Sequence, residues 1–175
     1  MRNFIVVSAA ALFIAIPALA QSVPEKTGLN AAIGVSPSTQ DFVIEAANSD
    51  MLEIASSKLA LSKGDAKLKP FADKMIEDHT KTSSEVKALV SSGKVKVDLP
   101  ATMDKAHQSK LDKLSGLTGP DFTKEYESMQ VSAHKDAVSL FERYSKSGDN
   151  ADLKAFAANT LPHLQEHLKM AQTLK

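Results

Sequence analysis

A three- and four-residue spacing of apolar residues, repeated over most of the chain, is the feature that most limits what this sequence can fold into. Its clearest stretch spans residues 68–90 and ends before Gly93. In an α-helix this spacing places side chains on one face, whereas a strand would require alternation. The apolar positions are Leu68, Phe71, Ala72, Met75, Ile76, Val86, Leu89 and Val90. The stretch therefore predicts a long helix with one face in a core.

The same spacing predicts three further long helices and a short one. We expect the long helices over residues 40–62, from the capping residue Asp65 to 92, over 120–147 and after the capping residue Asn150, and the short one over 101–117. Pro162 should bend the last helix without ending it, because the apolar period continues across the proline. The segment joining the second and third long helices is about as long as a helix, which suits a crossover along the bundle. The prediction is an all-α, ferritin-like four-helix bundle with a long crossover carrying a short extra helix.

The first 20 residues are typical of an export signal. Arg2 precedes an apolar run from Phe4 to Leu19, and the run closes on a small-residue cleavage pattern at Ala18 and Ala20. The run is shorter than a membrane-spanning helix requires, so the mature chain is expected to have no transmembrane segment. We predict a signal peptide over 1–20, a flexible lead-in over 21–37 and a helical domain over 38–175. Cleavage near Ala20 would leave a periplasmic or secreted protein.

Composition excludes several classes of protein. The 175 residues include no cysteine, so helix packing must stabilise the fold without disulfides. The 21 basic and 21 acidic residues balance without long single-sign blocks, which argues against a nucleic-acid partner. There is no Gly-x-Ser-x-Gly motif and no glycine-rich phosphate loop. The residues support no particular reaction, and a non-enzymatic role is favoured.

Three predicted long helices each carry a histidine on the packed side, namely His79, His134 and His167, and the remaining one carries Glu53 among small residues. One inward polar group on each of four helices is the layout from which metal sites in bundles are built. Imidazole and carboxylate suit zinc, iron, manganese or copper without choosing among them. The alternative is a set of neutral, hydrogen-bonded rings that fix helix register, with partners such as Asp78 or Asp136. The residues alone favour that alternative.

The spacing around these histidines argues against a di-iron oxidase. Ferritin-like di-iron sites use Glu-x-x-His on two helices, but Ile76, Val131 and Leu164 occupy the position three before each histidine. His163 and His167 have the i,i+4 spacing of some zinc sites, but no glutamate follows His163, and a surface pair is favoured. His107 is expected at the exposed rim of the crossover helix. Neither His163 nor His107 is therefore predicted as a metal ligand.

An ordered set of short motifs resembles the bacterial domain-of-unknown-function family 4142. The resemblance covers about Asp41 to Gln172, and it implies an exported, ferritin-like helical bundle with no established reaction. The family pattern places its histidines at His79, His134 and His167. The motifs are Asp41-Phe42, Glu53-Ile54, Phe71-Ala72-x-x-Met75-Ile76-x-Asp78-His79, Phe122-x-x-x-Tyr126-x-x-Met129, His134 and Leu161-Pro162-x-Leu164-x-x-His167.

The favoured functional interpretation is a non-enzymatic, exported bundle with a structural, envelope-stress or interaction role and a buried histidine and carboxylate layer. Its partners would be an envelope protein or a second copy of the chain. The competing interpretation is a ferritin-like protein that binds or sequesters a metal through Glu53, His79, His134 and His167, with a transition metal ion as the cofactor. A third is pH sensing by buried histidines, which predicts lower stability as the pH falls through about 6.

Overall fold

The computed structural model describes residues 22–26 and 28–174, and its regular structure is entirely helical within those ranges, which confirms the all-α prediction. The signal peptide predicted over 1–20 lies outside them. None of the described helices has both the length and the apolar character needed to cross a membrane. The helices are α1 (Val23–Lys26), α2 (Leu29–Ile33), α3 (Thr39–Lys63), α4 (Lys69–Ser91), α5 (Lys105–Ser115), α6 (Gly119–Ser147) and α7 (Ala151–Gln172).

Short polar residues set where the long helices begin. The hydroxyl of Ser38 accepts a hydrogen bond from the amide of Asp41 at the start of α3, and Asn150 does the same for Leu153 at the start of α7. Asp65 is a capping residue, as predicted, but it caps a 3₁₀ turn over Ala66–Leu68, and the α-helix α4 begins only at Lys69. Pro70 then falls in the first turn of α4, where its missing amide hydrogen has least effect. The last helix continues across Pro162, as the spacing predicted.

The long helices enclose two apolar cores. α3 packs along α4 and α6 along α7, and less extensive contacts join α3 to α6 and α4 to α7. The Phe42 core consists of Phe42, Val43, Ala46, Val86, Val95, Ala137, Leu140, Phe141, Tyr144, Leu153, Phe156, Ala157 and Leu164. The Phe71 core consists of Leu52, Ala60, Leu68, Phe71, Ala72, Met75, Leu114, Phe122, Tyr126, Met129 and Ala171. Every long helix therefore contributes one end to each core.

The core in which each long helix begins shows the direction in which that helix runs. α3 and α7 begin in the Phe42 core, whereas α4 and α6 begin in the Phe71 core. The connection from α4 to α6 must therefore travel from one core to the other, as the long crossover predicted. It does so with Val95 in the Phe42 core and Leu114 of α5 in the Phe71 core. Whether the whole arrangement is ferritin-like stays a prediction.

The crossover helix is more deeply packed than its sequence suggested. Leu114 is fully buried, and His107 is only 7% exposed, so the prediction that His107 lies at an exposed rim is wrong. Just before α5, the backbone amide of Asp104 donates to the side chain of Asn48 on α3 at 2.8 Å. Contacts between distant parts of the chain therefore bury this helix, and its own polar sequence does not reveal them.

The predicted lead-in holds α1 and α2 and contacts the long helices. Glu25 and Arg143 of α6 form a largely buried ion pair at 2.7 Å. The backbone amide and hydroxyl of Ser22 donate to the carboxylate of Asp41 at 2.6 and 2.8 Å. These contacts join the segment to the bundle, and its flexibility stays a prediction.

We expect Leu114→Ala to lower the free energy of unfolding by about 2–5 kcal/mol, because it leaves a cavity where α5 enters the Phe71 core. Urea denaturation measures the change. The matched control is Lys110→Ala on the exposed side of α5, for which we expect about 0.5 kcal/mol or less. Equal losses from the two variants would contradict the role assigned to Leu114.

Candidate metal centre

A polar layer separates the two apolar cores. Each long helix carries a buried polar residue near the change from one core to the other. On α4, α6 and α7 it lies between the stretches that enter the two cores, and on α3 it directly follows Leu52 of the Phe71 core. These residues are Glu53 on α3, His79 on α4, His134 on α6 and His167 on α7, and each is at most 3% exposed. All four residues predicted from the sequence as ligands thus lie buried at the same level of the structure.

The three imidazole rings form a nearly equilateral triangle. Their centroids are 5.8 Å apart for His79 and His134, 5.6 Å for His79 and His167, and 5.4 Å for His134 and His167. One nitrogen of each ring lies within 4.8 Å of one nitrogen of each other ring. Glu53 is not part of this set of mutually close atoms: one of its carboxylate oxygens lies 4.0 Å from Nδ1 of His134, the nitrogen that faces the Gln130 carbonyl. The rings are therefore close enough to share a single ion.

Each ring uses one nitrogen for a hydrogen bond to an atom that can only accept. The partners are two carboxylates and one backbone carbonyl, so the ring nitrogen must carry the hydrogen in every pair. This fixes the tautomer of each neutral ring. The pairs are His79 Nδ1 to Asp50 Oδ1 at 2.7 Å, His134 Nδ1 to the Gln130 carbonyl at 2.8 Å, and His167 Nε2 to Asp78 Oδ2 at 2.6 Å.

The other nitrogen of each ring is buried without a hydrogen-bond partner among the described residues. These atoms are Nε2 of His79, Nε2 of His134 and Nδ1 of His167, and both carboxylate oxygens of Glu53 share that condition. In the neutral rings these nitrogens present lone pairs, and an ionised carboxylate is likewise only an acceptor. All five unpaired atoms are therefore acceptors in this state. A cation satisfies such a group of atoms.

Further side chains hold the outer carboxylates in place. Asp50 accepts hydrogen bonds from the hydroxyls of Thr82 and Ser83 at 2.9 and 3.0 Å. Asp78 pairs with Lys74 at 2.9 Å, which neutralises its charge at the edge of the layer. A carboxylate that accepts from a ligand histidine orients the ring and increases its basicity, and both effects are common in metal sites.

Burial keeps two of the rings neutral. It lowers the pKa of His167 to about 4, although the hydrogen bond to Asp78 works in the opposite direction. Burial also lowers the pKa of His134, against the attraction of the Glu53 charge. A metal ion binds only a neutral imidazole, so these two rings are in the binding form at neutral pH.

His79 behaves differently because a carboxylate lies directly against it. Burial disfavours its charged form, but the hydrogen bond and negative charge of Asp50, with the charge of Glu53, outweigh burial and raise its pKa. A proton on Nε2 of His79 would place a donor among these unpaired acceptors. A metal ion and this proton therefore compete for the same nitrogen.

A second group of ligand-type side chains surrounds His107. It differs from the polar layer because both nitrogens of its ring have carboxylate partners. Nε2 of His107 lies 3.4 Å from a carboxylate oxygen of Glu45, and Nδ1 lies 3.0 Å from one of Asp104. Burial opposes charge on the ring, but the two carboxylates outweigh it and raise the pKa of His107. The three side chains are close enough together to hold a cation, but both ring nitrogens of His107 already face carboxylates, so this group lacks the unpaired ring nitrogen that each ring of the polar layer has.

The sequence interpretation missed Asp50 and misassigned Asp136. Asp50 lies one turn before Glu53 on α3, and that i,i+3 spacing was the available signal for a second inward carboxylate. Asp78 was named as a partner and does accept from His167. Asp136 is exposed on α6 and bonds to none of the three rings. His163 is exposed, as expected.

A comparison with known protein families shows which family the chain belongs to. The family described as "Domain of unknown function (DUF4142)" matches residues 24–174, so the chain belongs to that family. Among curated proteins and among solved structures, nothing matches the chain significantly. The match includes all four residues of the polar layer, and the family description assigns them no role.

For the metal-free protein we predict that His167 makes stability depend on pH between about 6.5 and 4. The folded ring has a pKa of about 4 and the unfolded ring about 6.5, so the unfolded chain alone takes up a proton in this window. Stability should therefore fall as the pH falls, by up to about 3 kcal/mol from this residue. Urea denaturation of the wild type and of His167→Gln across the window measures the difference. A stability difference between the two proteins that stays constant from pH 6.5 to 4 would contradict the depressed pKa.

Proposed function

We propose that this member of the DUF4142 family binds one divalent first-row transition-metal ion between His79, His134 and His167, with Glu53 as the carboxylate of the same centre. The observation that carries the proposal is the triangle of three buried rings: each offers a nitrogen within 4.8 Å of a nitrogen of the other two, and each has one nitrogen without a hydrogen-bond partner among the described residues. Buried polar atoms are normally paired, and an unpaired one costs about 1–3 kcal/mol. An ion at this position would satisfy all three at once.

The hydrogen bonds on the far side of the rings support the same proposal. Histidines that bind metals usually donate their second ring hydrogen to a carboxylate or a backbone carbonyl. All three rings do so here, to Asp50, the Gln130 carbonyl and Asp78. Rings that only fixed helix register would need one outward bond each, and nothing would require their remaining nitrogens to meet.

The donor set favours one ion over two. Di-iron centres in bundles use four glutamates and two histidines, and their carboxylates bridge and neutralise the metals. This layer offers three imidazoles and one buried carboxylate with unpaired oxygens, Glu53, because Asp50 already accepts from His79. Three nitrogens and one oxygen suit zinc, iron, manganese or copper as a single divalent ion. A donor count with room for one ion is the reason to propose binding or sequestration without assigning a reaction.

The remaining parts of the proposal come from the sequence. The export signal predicted over residues 1–20 would place the domain in the periplasm or outside the cell, and the crossover between α4 and α6 suits a ferritin-like bundle. In this proposal the chain is an exported protein that binds or sequesters a transition metal. The structural or interaction role favoured by the sequence becomes the alternative, in which a proton on His79 takes the place of the ion.

Elemental analysis of the purified protein and metal titration of its chelator-treated form test the proposal directly. We expect one zinc, iron, manganese or copper ion per chain. Added metal should stabilise the metal-free protein, by about 4 kcal/mol when the free ion is at a thousand times its dissociation constant. The wild type would contradict the proposal if it held no stoichiometric metal and melted at the same temperature with and without each ion.

We predict that His134→Gln abolishes stoichiometric binding, because it removes one of three nitrogens and leaves an amide too short to reach the same position. The matched control is His107→Gln, which changes the other buried histidine of the bundle, whose nitrogens both face carboxylates. Isothermal titration calorimetry with Zn²⁺ compares the three proteins. Equal binding by His134→Gln and the wild type would place the ion elsewhere.

We also predict that Asp50→Asn weakens metal affinity by about 10- to 100-fold, as losses of a carboxylate behind a ligand histidine commonly do. The control is Asp104→Asn, beside His107, where asparagine can still cap α5. Competition with a chromophoric chelator measures both affinities. If the two substitutions had the same effect on affinity, the hydrogen bond from His79 to Asp50 would have no special role.

A further inference from the structure

A cavity of about 210 Å³ leads from the surface to the polar layer between α4 and α7. His79 and His167 form part of its wall, and both are buried. Glu85 and His163 also line it, and both are exposed. Neither Glu53 nor His134 takes part in its wall, so the cavity approaches the layer from one side only.

The packing of the helices explains why the opening lies here. α4 and α7 contact each other less extensively than any other neighbouring pair of long helices. Pro162 falls in this part of α7, where it removes one backbone hydrogen bond and its ring disturbs the preceding turn. Small polar side chains, among them Thr82, Asn159 and Thr160, also line the cavity. A hydrated ion can therefore meet polar groups along the way.

Ligand-type side chains stand at the outer end of the cavity. The side chain of His163 is exposed and forms none of the hydrogen bonds or ion pairs found in residues 22–26 and 28–174. Glu85 faces the same cavity from α4, and its partner Lys81 lies at 4.0 Å in an exposed pair, which water screens strongly. Both side chains are thus available to bind a cation arriving from solvent.

His163 is also placed to pass an ion inward. It lies one helical turn before His167 on α7, and both line the same cavity. Four residues of helix correspond to about 6 Å along the axis. Two histidines at this spacing can contact one metal ion, so an ion can gain His167 before it loses His163. The exchange avoids returning the ion to full hydration.

We propose that this cavity is the route by which the metal ion reaches the buried centre, and that His163 and Glu85 capture the ion transiently at its mouth. The proposal rests on the metal-binding function proposed above. It assigns a function to the exposed member of the His163 and His167 pair, which the centre itself does not use. Of the other cavities, the one lined by Asp50 touches a partner of His79 and reaches no proposed ligand.

A transient ligand changes rates without changing the final equilibrium. We expect His163→Gln to slow both association and dissociation of Co²⁺ by about tenfold and to leave the dissociation constant unchanged, since guiding charges and ligands commonly act on rates by this much or more. Glu85→Gln should act in the same direction. Asn159→Trp, which fills the cavity with a bulky side chain, should also slow both rates. Gln165→Ala, exposed on α7 outside the cavity, is the control.

Stopped-flow absorbance of Co²⁺ binding to the metal-free full-length protein gives the association rates, and release to an excess of chelator gives the dissociation rates. Wild-type rates for both His163→Gln and Asn159→Trp would overturn the route. A weaker dissociation constant with faster release in His163→Gln would overturn transient capture, because His163 would then be a permanent ligand. If the wild type bound no Co²⁺, Zn²⁺, Mn²⁺, Fe²⁺ or Cu²⁺, the metal centre itself would be rejected, and the route with it.

Discussion

The hydrogen bonds from the outer nitrogens of the three histidines determine the character of this protein's interior. Because the carbonyl of Gln130 and the carboxylates of Asp50 and Asp78 can only accept, they draw the ring hydrogens away from the centre of the bundle. The second nitrogen of each ring, like both oxygens of Glu53, is left buried without a partner among the described residues. A packed interior usually avoids such an arrangement, and its presence here is the physical basis for the proposed metal site.

The two apolar cores make this arrangement durable. The Phe42 and Phe71 cores lie on either side of the layer, and each long helix is anchored in both. A helix displaced along its axis would move apolar side chains out of both cores and bury its polar residue among them, which is costly. The apolar packing thus sets the height of each imidazole, and the outward hydrogen bonds set the rotation of each ring. Neither alone would bring three nitrogens together.

Much of this could be predicted from the sequence, and the physical reasons for the failures are specific. The helices and the inward histidines were predictable because a 3.6-residue period states which face of a helix is buried. The 3₁₀ turn between Asp65 and α4 was not predicted, because Asp65 can cap a 3₁₀ turn as well as an α-helix. The burial of His107 and the partnership of Asp50 with His79 depend on contacts between segments far apart in the chain. Local pattern carries no information about such contacts, nor about which ring nitrogen bears the hydrogen.

The four residues of the layer come from four helices that are widely separated along the chain, and this has a consequence for motion. Any fluctuation that detaches one long helix also separates the residues of the layer. An ion held there would therefore raise the free energy of every such opening by the same amount. Helices with different intrinsic tendencies to open would then exchange their amide hydrogens at more similar rates. The layer would convert four separately fluctuating helices into one cooperative unit, while the exposed ends of the bundle stayed free to move.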